Sequence, residues 1–316
     1  MKFKLAPLLL ACMAGVASTS AMATEGALGR TITGVQLTPY VGIIPPTPGL
    51  QVSFAFANYS GNIGGSKTVP IGGLAALNLH ANLDLYSLTG AYIWDTKPGR
   101  WNFASMLTLS YIDTDVSADL SLDRLNGRVT DSSSGMYDLY FAPVIASYHV
   151  SEVEHWSFGV YIYAPTADYT KGDLANNGLN NWTFTPAVGY THLFQAGTLE
   201  FSALAGVDIY TKNTATDYSN GSVFHLDGLL MKRTPSGFGF GVAGGWIQQI
   251  NNDTGPTADL LNGFKGHALS LGPAIDFTKA WSKTDKVSLT LRWLKEFDVK
   301  NRIKGDPLML NVSISL

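Results

Sequence analysis

From Trp182 to Tyr190 every second residue is apolar: Trp182, Phe184, Pro186, Val188 and Tyr190. The residues interleaved with them, Thr183, Thr185, Ala187, Gly189 and Thr191, are small and mostly polar. A period of two puts the two sets on opposite faces of a strand. Trp182 and Tyr190 are eight residues apart, which is roughly 26 Å of strand at about 3.3 Å per residue. A tilt of about 40° reduces this to roughly 20 Å of height, close to the apolar band between the aromatic girdles of an outer-membrane barrel. A soluble sandwich strand can show the same alternation, so the pattern must recur.

It recurs in about twelve segments. Val52, Phe54 and Phe56 alternate with Ser53, Ala55 and Ala57; Leu77, Leu79, Ala81, Leu83 and Leu85 alternate with Asn78, His80, Asn82, Asp84 and Tyr86. Trp101, Phe103, Leu107, Leu109 and Tyr111 oppose Asn102, Ala104, Thr108 and Ser110. Tyr137 to Tyr148 is apolar on both sides, and its facing stays open. Trp156, Phe158, Val160 and Ile162 oppose Ser157, Gly159 and Tyr161. Further on, alternation returns around Phe201, Leu226, Phe240, Leu271, Leu289 and Val312. In this register Leu83, Val188 and Leu289 face lipid.

The connections are sorted by length. Asp95–Arg100, Ser151–His155, Gln195–Gly197, Lys232–Gly237 and Lys279–Asp285 read as short turns. Between them lie longer polar loops: Tyr59–Gly73, Asp113–Gly135, Ala164–Asn181, Asn213–Gly221, Asn251–Gly266 and Asp298–Asp306. Hairpins that turn alternately in the periplasm and outside the cell produce this order; a sandwich has no reason to. The pattern predicts an all-β, transmembrane antiparallel β-barrel of about 12 strands in the cell outer membrane, with short periplasmic turns and long extracellular loops.

Composition narrows the alternatives. Charged residues are 14% and hydrophobic residues 46% of the chain, yet no long charge-free apolar run follows the first two dozen residues. A helical inner-membrane protein is therefore excluded. Residues 1–23 read as a secretory signal peptide: Lys2 and Lys4, an apolar stretch from Leu5 to Ala17, then Ala21-Met22-Ala23. Apolar sequence continuing past Cys12 argues against a lipoprotein anchor there. Cleavage before Thr24 leaves a mature chain without cysteine. Residues 24–50 form a Pro/Gly-rich lead-in that could tuck into the lumen, and 51–316 the barrel. The net charge of −3, with no basic block, gives nucleic acid no footing as a partner. The expected partners are outer-membrane lipid, the assembly machinery that reads the last strand, and a small solute. That last strand ends on Leu316 rather than an aromatic residue.

Several stretches carry a family resemblance: Ala164-Pro165-Thr166-Ala167-Asp168-Tyr169, Leu174-Ala175-Asn176-Asn177-Gly178, Asn181-Trp182-Thr183-Phe184, Asn213-Thr214-Ala215-Thr216-Asp217-Tyr218, Phe224-His225-Leu226-Asp227 and Gln248-Gln249-Ile250-Asn251-Asn252-Asp253. In this order they resemble the family labelled as involved in the meta-pathway of phenol degradation. Ala167 stands where that pattern has Gly. The resemblance implies an outer-membrane barrel that transports aromatic compounds.

Candidate residues follow from facing. His80, Asp84, Asp208, His225, Asp227 and Arg292, with Glu200 and Asp276, fall on the polar face and are expected in the lumen. Asp84, Asp208, His225 and Arg292 count nearest mid-height. Such charges can form a polar passage, or pair off into a structural plug. The small residues Gly239, Gly241, Ala243, Gly245, Ser270 and Gly272 leave room for a solute, or merely relieve crowding where the wall curves. Trp101, Trp156, Trp182, Tyr190, Trp246 and Trp293 are the expected girdle. No cofactor or metal is expected, because the Asn/Asp/Gly runs at Gly172–Asn181 and Asn251–Gly255 lack the spacing of a calcium loop. No Gly-x-Ser-x-Gly occurs, and Ser147 and His149 share a face only if their strand is continuous. The leading expectation is a passive channel for small hydrophobic or aromatic molecules; a structural or adhesive barrel with a plugged lumen is the alternative, and a lipid-modifying enzyme a more distant one.

Overall fold

The computed structural model describes residues 25–64, 67–97, 99–122, 125–261, 264–282 and 286–315. Residues 1–23, expected to be a signal peptide, and Leu316 lie outside them. Twelve antiparallel strands close one barrel. They are β1 (Gly49–Ile63), β2 (Leu74–Ile93), β3 (Trp101–Leu122) and β4, which runs as Leu125–Met136 and resumes as Leu139–His149. Then come β5 (Glu154–Ala164), β6 (Thr183–Phe194), β7 (Leu199–Tyr210), β8 (Val223–Arg233), β9 (Phe238–Gln249) and β10 (His267–Ala280). The last two are β11, running as Lys286–Trp293 and Lys295–Lys300, and β12 (Leu308–Ser315). Closure is direct, since Phe54 of β1 pairs with Leu88 of β2 and with Val312 of β12. Closure gives the strands of the barrel wall neighbours on both sides, while the extension Leu125–Met136 pairs with β3 alone.

The outer wall shows why these strands hold in lipid. On β3, Trp101, Leu107, Leu109 and Tyr111 are each 45–48% exposed, while Asn102, Thr108 and Ser110 are buried. Trp101 to Tyr111 covers roughly 25 Å of height at about 3.3 Å per residue and a tilt near 40°, the thickness of an outer-membrane apolar band. Trp101, Trp156 and Tyr190 lie toward the short turns; Trp182, Trp246 and Trp293 lie toward the long loops. The Trp156 and Tyr190 rings meet at 4.6 Å across β5 and β6. Trp94 and Trp281, beside short turns, add aromatic surface at the same end as Trp101.

Two expectations change. The polar stretch Asp113–Gly135 is not a loop. β3 runs on to Leu122, and the first part of β4 pairs with it from Met136 back to Leu125. Alternation in fact continues there, with Ile112, Thr114, Val116 and Ala118 buried. Above the apolar band the outer face meets water, so Asp113 and Asp115 are suited to a strand. In the same way β1 extends to Ile63, and Val69–Ile71 pairs with the start of β2.

β2 faces the other way from the sequence reading. Leu79 and Ala81 are buried and, with Leu83 and Leu85, line the lumen. His80 is exposed and Asp84 lies on the outer face, where Asn58 Nδ2 donates to it at 2.7 Å. Tyr86, Leu88 and Tyr92, all outward and exposed, form the lipid-facing row instead. A period of two separates two faces without saying which is inner; here the lumen wall is itself apolar, and the polar set sits above the membrane. Leu88→Arg or Leu289→Arg should therefore cost about 2–4 kcal/mol, while Asn82→Arg should change stability by no more than about 0.5 kcal/mol. Urea midpoints in lipid vesicles measure this, and an Asn82 cost equal to that at Leu88 would reverse the assignment.

Candidate functional site

Residues 25–48 run down the inside of the barrel from the long-loop end to the short-turn end before entering β1. A chain with four prolines in this stretch cannot satisfy its backbone in a ladder, so the wall must supply partners. At the top, Glu25 accepts hydrogen bonds from Gly73 N (3.1 Å), Asn213 Nδ2 (3.3 Å) and Thr216 Oγ1 (3.4 Å). Burial pushes the Glu25 carboxyl above the usual range, against those three donors. In the middle, Thr31 donates to Asp208 (2.5 Å), Thr33 to Glu296 (2.9 Å) and Gly34 N to Asp227 (2.8 Å). Lower down, Tyr40 N donates to Glu200 (2.6 Å).

The predicted lumen residues thus divide. Asp208, His225, Asp227 and Arg292 are buried inside the barrel, on the β7–β11 side. Asp208 also accepts from Thr185 (2.7 Å). Arg292 donates to the carbonyls of Gly34 (2.7 Å) and Leu37. It anchors the inner segment, with Asp227 of β8 as its nearby countercharge. His225 Nε2 stands 3.9 Å from Asp208, and neither ring nitrogen has a hydrogen-bond partner. His80 and Asp84 are outside, as described above. Glu200 and Asp276 converge on Arg233, which packs over the Tyr40 ring at 4.5 Å.

Of the inward small residues of β9 and β10, Gly245 makes room for this segment, whereas Gly239, Gly241 and Gly272 relieve crowding against the neighbouring wall strands. A Cβ at Gly245 would lie 2.7 Å from Gly34 N and 2.9 Å from Thr33. One at Gly241 would strike the backbone of Leu230 and Met231.

Asp138, at the break in β4, joins three parts of the protein. It pairs with Arg30 (2.6 Å), both side chains fully buried, and accepts from Ala167 N (2.9 Å) and Leu179 N (3.2 Å) of the long loop. Arg30 also donates to Thr183, Tyr137 and the Asn181 carbonyl, and packs over the Tyr163 ring at 4.8 Å. Asp131 clamps the same loop by accepting from Leu174 N and Ala175 N, both at 2.9 Å. Nothing in the alternation singled out Asp138. The Tyr-Asp step where β4 leaves its ladder was the available signal.

Because the segment lies against β6–β11, the other side of the lumen stays open. A cavity of about 400 Å³ remains there. One wall is aliphatic, with Leu79, Leu83, Leu85, Ile112 and Val116 of β2 and β3. The other is aromatic, with Tyr137, Tyr140, Tyr161 and Tyr163 of β4 and β5. Tyr140 stacks on Tyr163 at 4.4 Å and on Tyr161 at 5.9 Å.

Below the cavity, Ile44 packs with Ile93, Ala104 and Ile145. Asn102 Nδ2 donates to the Ile44 carbonyl (2.9 Å), Ser147 to Gly42 O (2.8 Å) and Ser157 to Val41 O (2.8 Å). Ser147 is therefore committed to the inner segment. His149 Nδ1 faces His155 Nδ1 at 2.7 Å, so Ser147 and His149 do not form a nucleophile–base pair. In the loops, Asp253 accepts from Gly221 N, Gln249 and Tyr218, and Asn177 accepts from Ser133 of β4; both tie a long loop to its neighbours.

A closed twelve-strand barrel with an apolar, lipid-facing band and a partly filled lumen is an outer-membrane β-barrel. The chain belongs to the family described as "Putative MetA-pathway of phenol degradation", which residues 57–312 match. No curated protein matches it in sequence. Among solved structures it is similar to an outer-membrane channel from Pseudomonas putida F1, at 15% identity and a TM-score of 0.67, covering 89% of this chain and all of that one. It is also similar to the transport unit of the Escherichia coli autotransporter AIDA-I (7% identity, TM-score 0.51, 89% and 94% covered). The β domain of the Bordetella autotransporter BrkA is similar too (11% identity, TM-score 0.50, 85% and 100% covered). At these identities the likeness concerns the fold.

Proposed function

We propose that the protein is a passive outer-membrane channel for small aromatic or otherwise hydrophobic molecules, not an enzyme. The observation that carries this is the cavity beside the inner segment: 400 Å³ bounded by leucines on one side and tyrosines on the other. Ligand pockets run from about 300 to 1,000 Å³ and are mostly apolar, and a cavity of roughly 150 Å³ lined by such side chains already holds benzene. The family's connection with phenol degradation points to the same class of solute. Uptake would be driven by the solute's own gradient, with the barrel replacing a slow crossing of the outer leaflet.

A plugged scaffold is the second reading, favoured by the Ile44 closure below the cavity. Proteoliposomes separate them. The channel reading expects faster uptake of a single-ring aromatic solute than protein-free vesicles show. No acceleration with any aromatic solute, together with no ion current in planar bilayers, would leave the scaffold reading in its place.

A further inference from the structure

The four tyrosines of the cavity are not equivalent. Tyr137 accepts from Arg30 (3.2 Å), and Tyr163 is hydrogen-bonded by Gln36. Tyr140 and Tyr161 have ring neighbours only; neither hydroxyl has a partner among the described residues. Both line the cavity. Both hydroxyls open onto the cavity, where a polar group of a bound molecule can bond them. Two such groups on adjacent strands, beside a stacked ring wall, form half of a binding site.

The charges around the cavity supply the other constraint. Arg30, Arg292, Asp208 and Glu25 line it, and each is already bonded. Arg30 is held by Asp138, Thr183 and Asn181, and Arg292 by two carbonyls. Asp208 is held by Thr31 and Thr185, and Glu25 by Gly73, Asn213 and Thr216. His225 lies 3.9 Å from Asp208 and also interacts with Asp227, so carboxylates flank it. Arg292 Nε has no hydrogen-bond partner, but each of these guanidiniums already stands by a carboxylate, Arg30 by Asp138 and Arg292 by Asp227, and a further anion buried there without a cation of its own is strongly disfavoured.

We propose that Tyr140 and Tyr161 form a selectivity subsite for an uncharged single-ring aromatic carrying one polar oxygen substituent, and that the cavity's committed charges exclude ring carboxylates. This rests on the aromatic-channel reading and refines it. The ring stacks along Tyr161, Tyr140 and Tyr163, and its oxygen satisfies the two hydroxyls.

The test uses the full-length mature protein in lipid nanodiscs, empty nanodiscs as the blank, and ligand-observed NMR with three probes on one skeleton: toluene, 4-methylphenol and 4-methylbenzoate. Wild type should bind 4-methylphenol more tightly than toluene and show no saturable binding of 4-methylbenzoate. The double substitution Y140F/Y161F keeps the rings and removes the hydroxyls. It should weaken 4-methylphenol about tenfold and leave toluene unchanged. Retained 4-methylphenol affinity in the variant overturns the subsite, and tight 4-methylbenzoate binding overturns the charge exclusion. Binding of none of the probes to wild type overturns the channel reading itself.

Discussion

Replacing Asp138 with Ala is expected to destabilise the barrel by about 3–5 kcal/mol, the cost of leaving one partner of a buried ion pair unmatched. Arg30 and Asp138 have fully buried side chains and meet at 2.6 Å. With Asp138 gone, the guanidinium keeps the Asn181 carbonyl, Thr183 and the Tyr137 hydroxyl, all of them neutral. Ala167 N and Leu179 N lose their acceptor in the same step. Arg30→Met should cost less, about 1–3 kcal/mol. It strands the Asp138 carboxylate, but that group keeps its two backbone donors, so it loses no further bond. Urea midpoints of protein refolded into vesicles, followed by the shift in gel migration between unheated and boiled samples, give both numbers. An Arg30→Met cost equal to or above that of Asp138→Ala would show that the pair does not join segment, loop and wall.

The two effects that shaped this lumen were unequally visible in the chain. Where one face meets lipid and the other is polar, alternation settles the strand. Residues 183–191 do so residue by residue, with Thr183, Thr185, Ala187, Gly189 and Thr191 buried and Phe184, Pro186 and Val188 more exposed. Where the inner wall is also apolar, the rule loses its sign, and β2 reads inside out. Tyr161 fell on the inward register, but one aromatic among small residues carries no meaning until Tyr140 and Tyr163 stand beside it. Those pairings depend on the bulge between Phe141 and Ile145, which lies in the one strand whose facing was ambiguous. The inward carboxylates Asp208 and Asp227 were legible as inward. Their partners were not, because Thr31 and Gly34 are separated from them by 177 and 193 residues and lie in an irregular segment without periodicity. Long-range contacts of that kind are written in three dimensions only.

Loosening the lower end of the inner segment should open the barrel to ions. Four hydrogen bonds hold residues 41–44: Asn102 to Ile44 O, Ser147 to Gly42 O, Ser157 to Val41 O, and Gly42 N to Thr191 (3.0 Å). Each contributes about 0.5–1.5 kcal/mol net, and Ile44 adds its contacts with Ile93, Ala104 and Ile145. The closed arrangement is therefore favoured by several kcal/mol, with the open form a minor state. Removing Asn102 takes away the bond to Ile44 and the contact to His149 Nε2 at 2.8 Å; truncating Ile44 to Ala costs a further part of its apolar contact, about 0.8 kcal/mol for each buried methylene lost. Every 1.4 kcal/mol lost multiplies the open population about tenfold. Wild type in planar bilayers should show rare, brief openings, and Asn102→Ala with Ile44→Ala openings more frequent by one to two orders of magnitude at unchanged unitary conductance. The anchoring wall bonds above, at Asp208, Asp227 and Arg292, are untouched, so the barrel's gel shift on heating should not change. Equal opening frequency in the two proteins would mean that the Ile44 cluster does not close the path, and that the seal lies higher, where Arg292 holds Gly34 and Leu37.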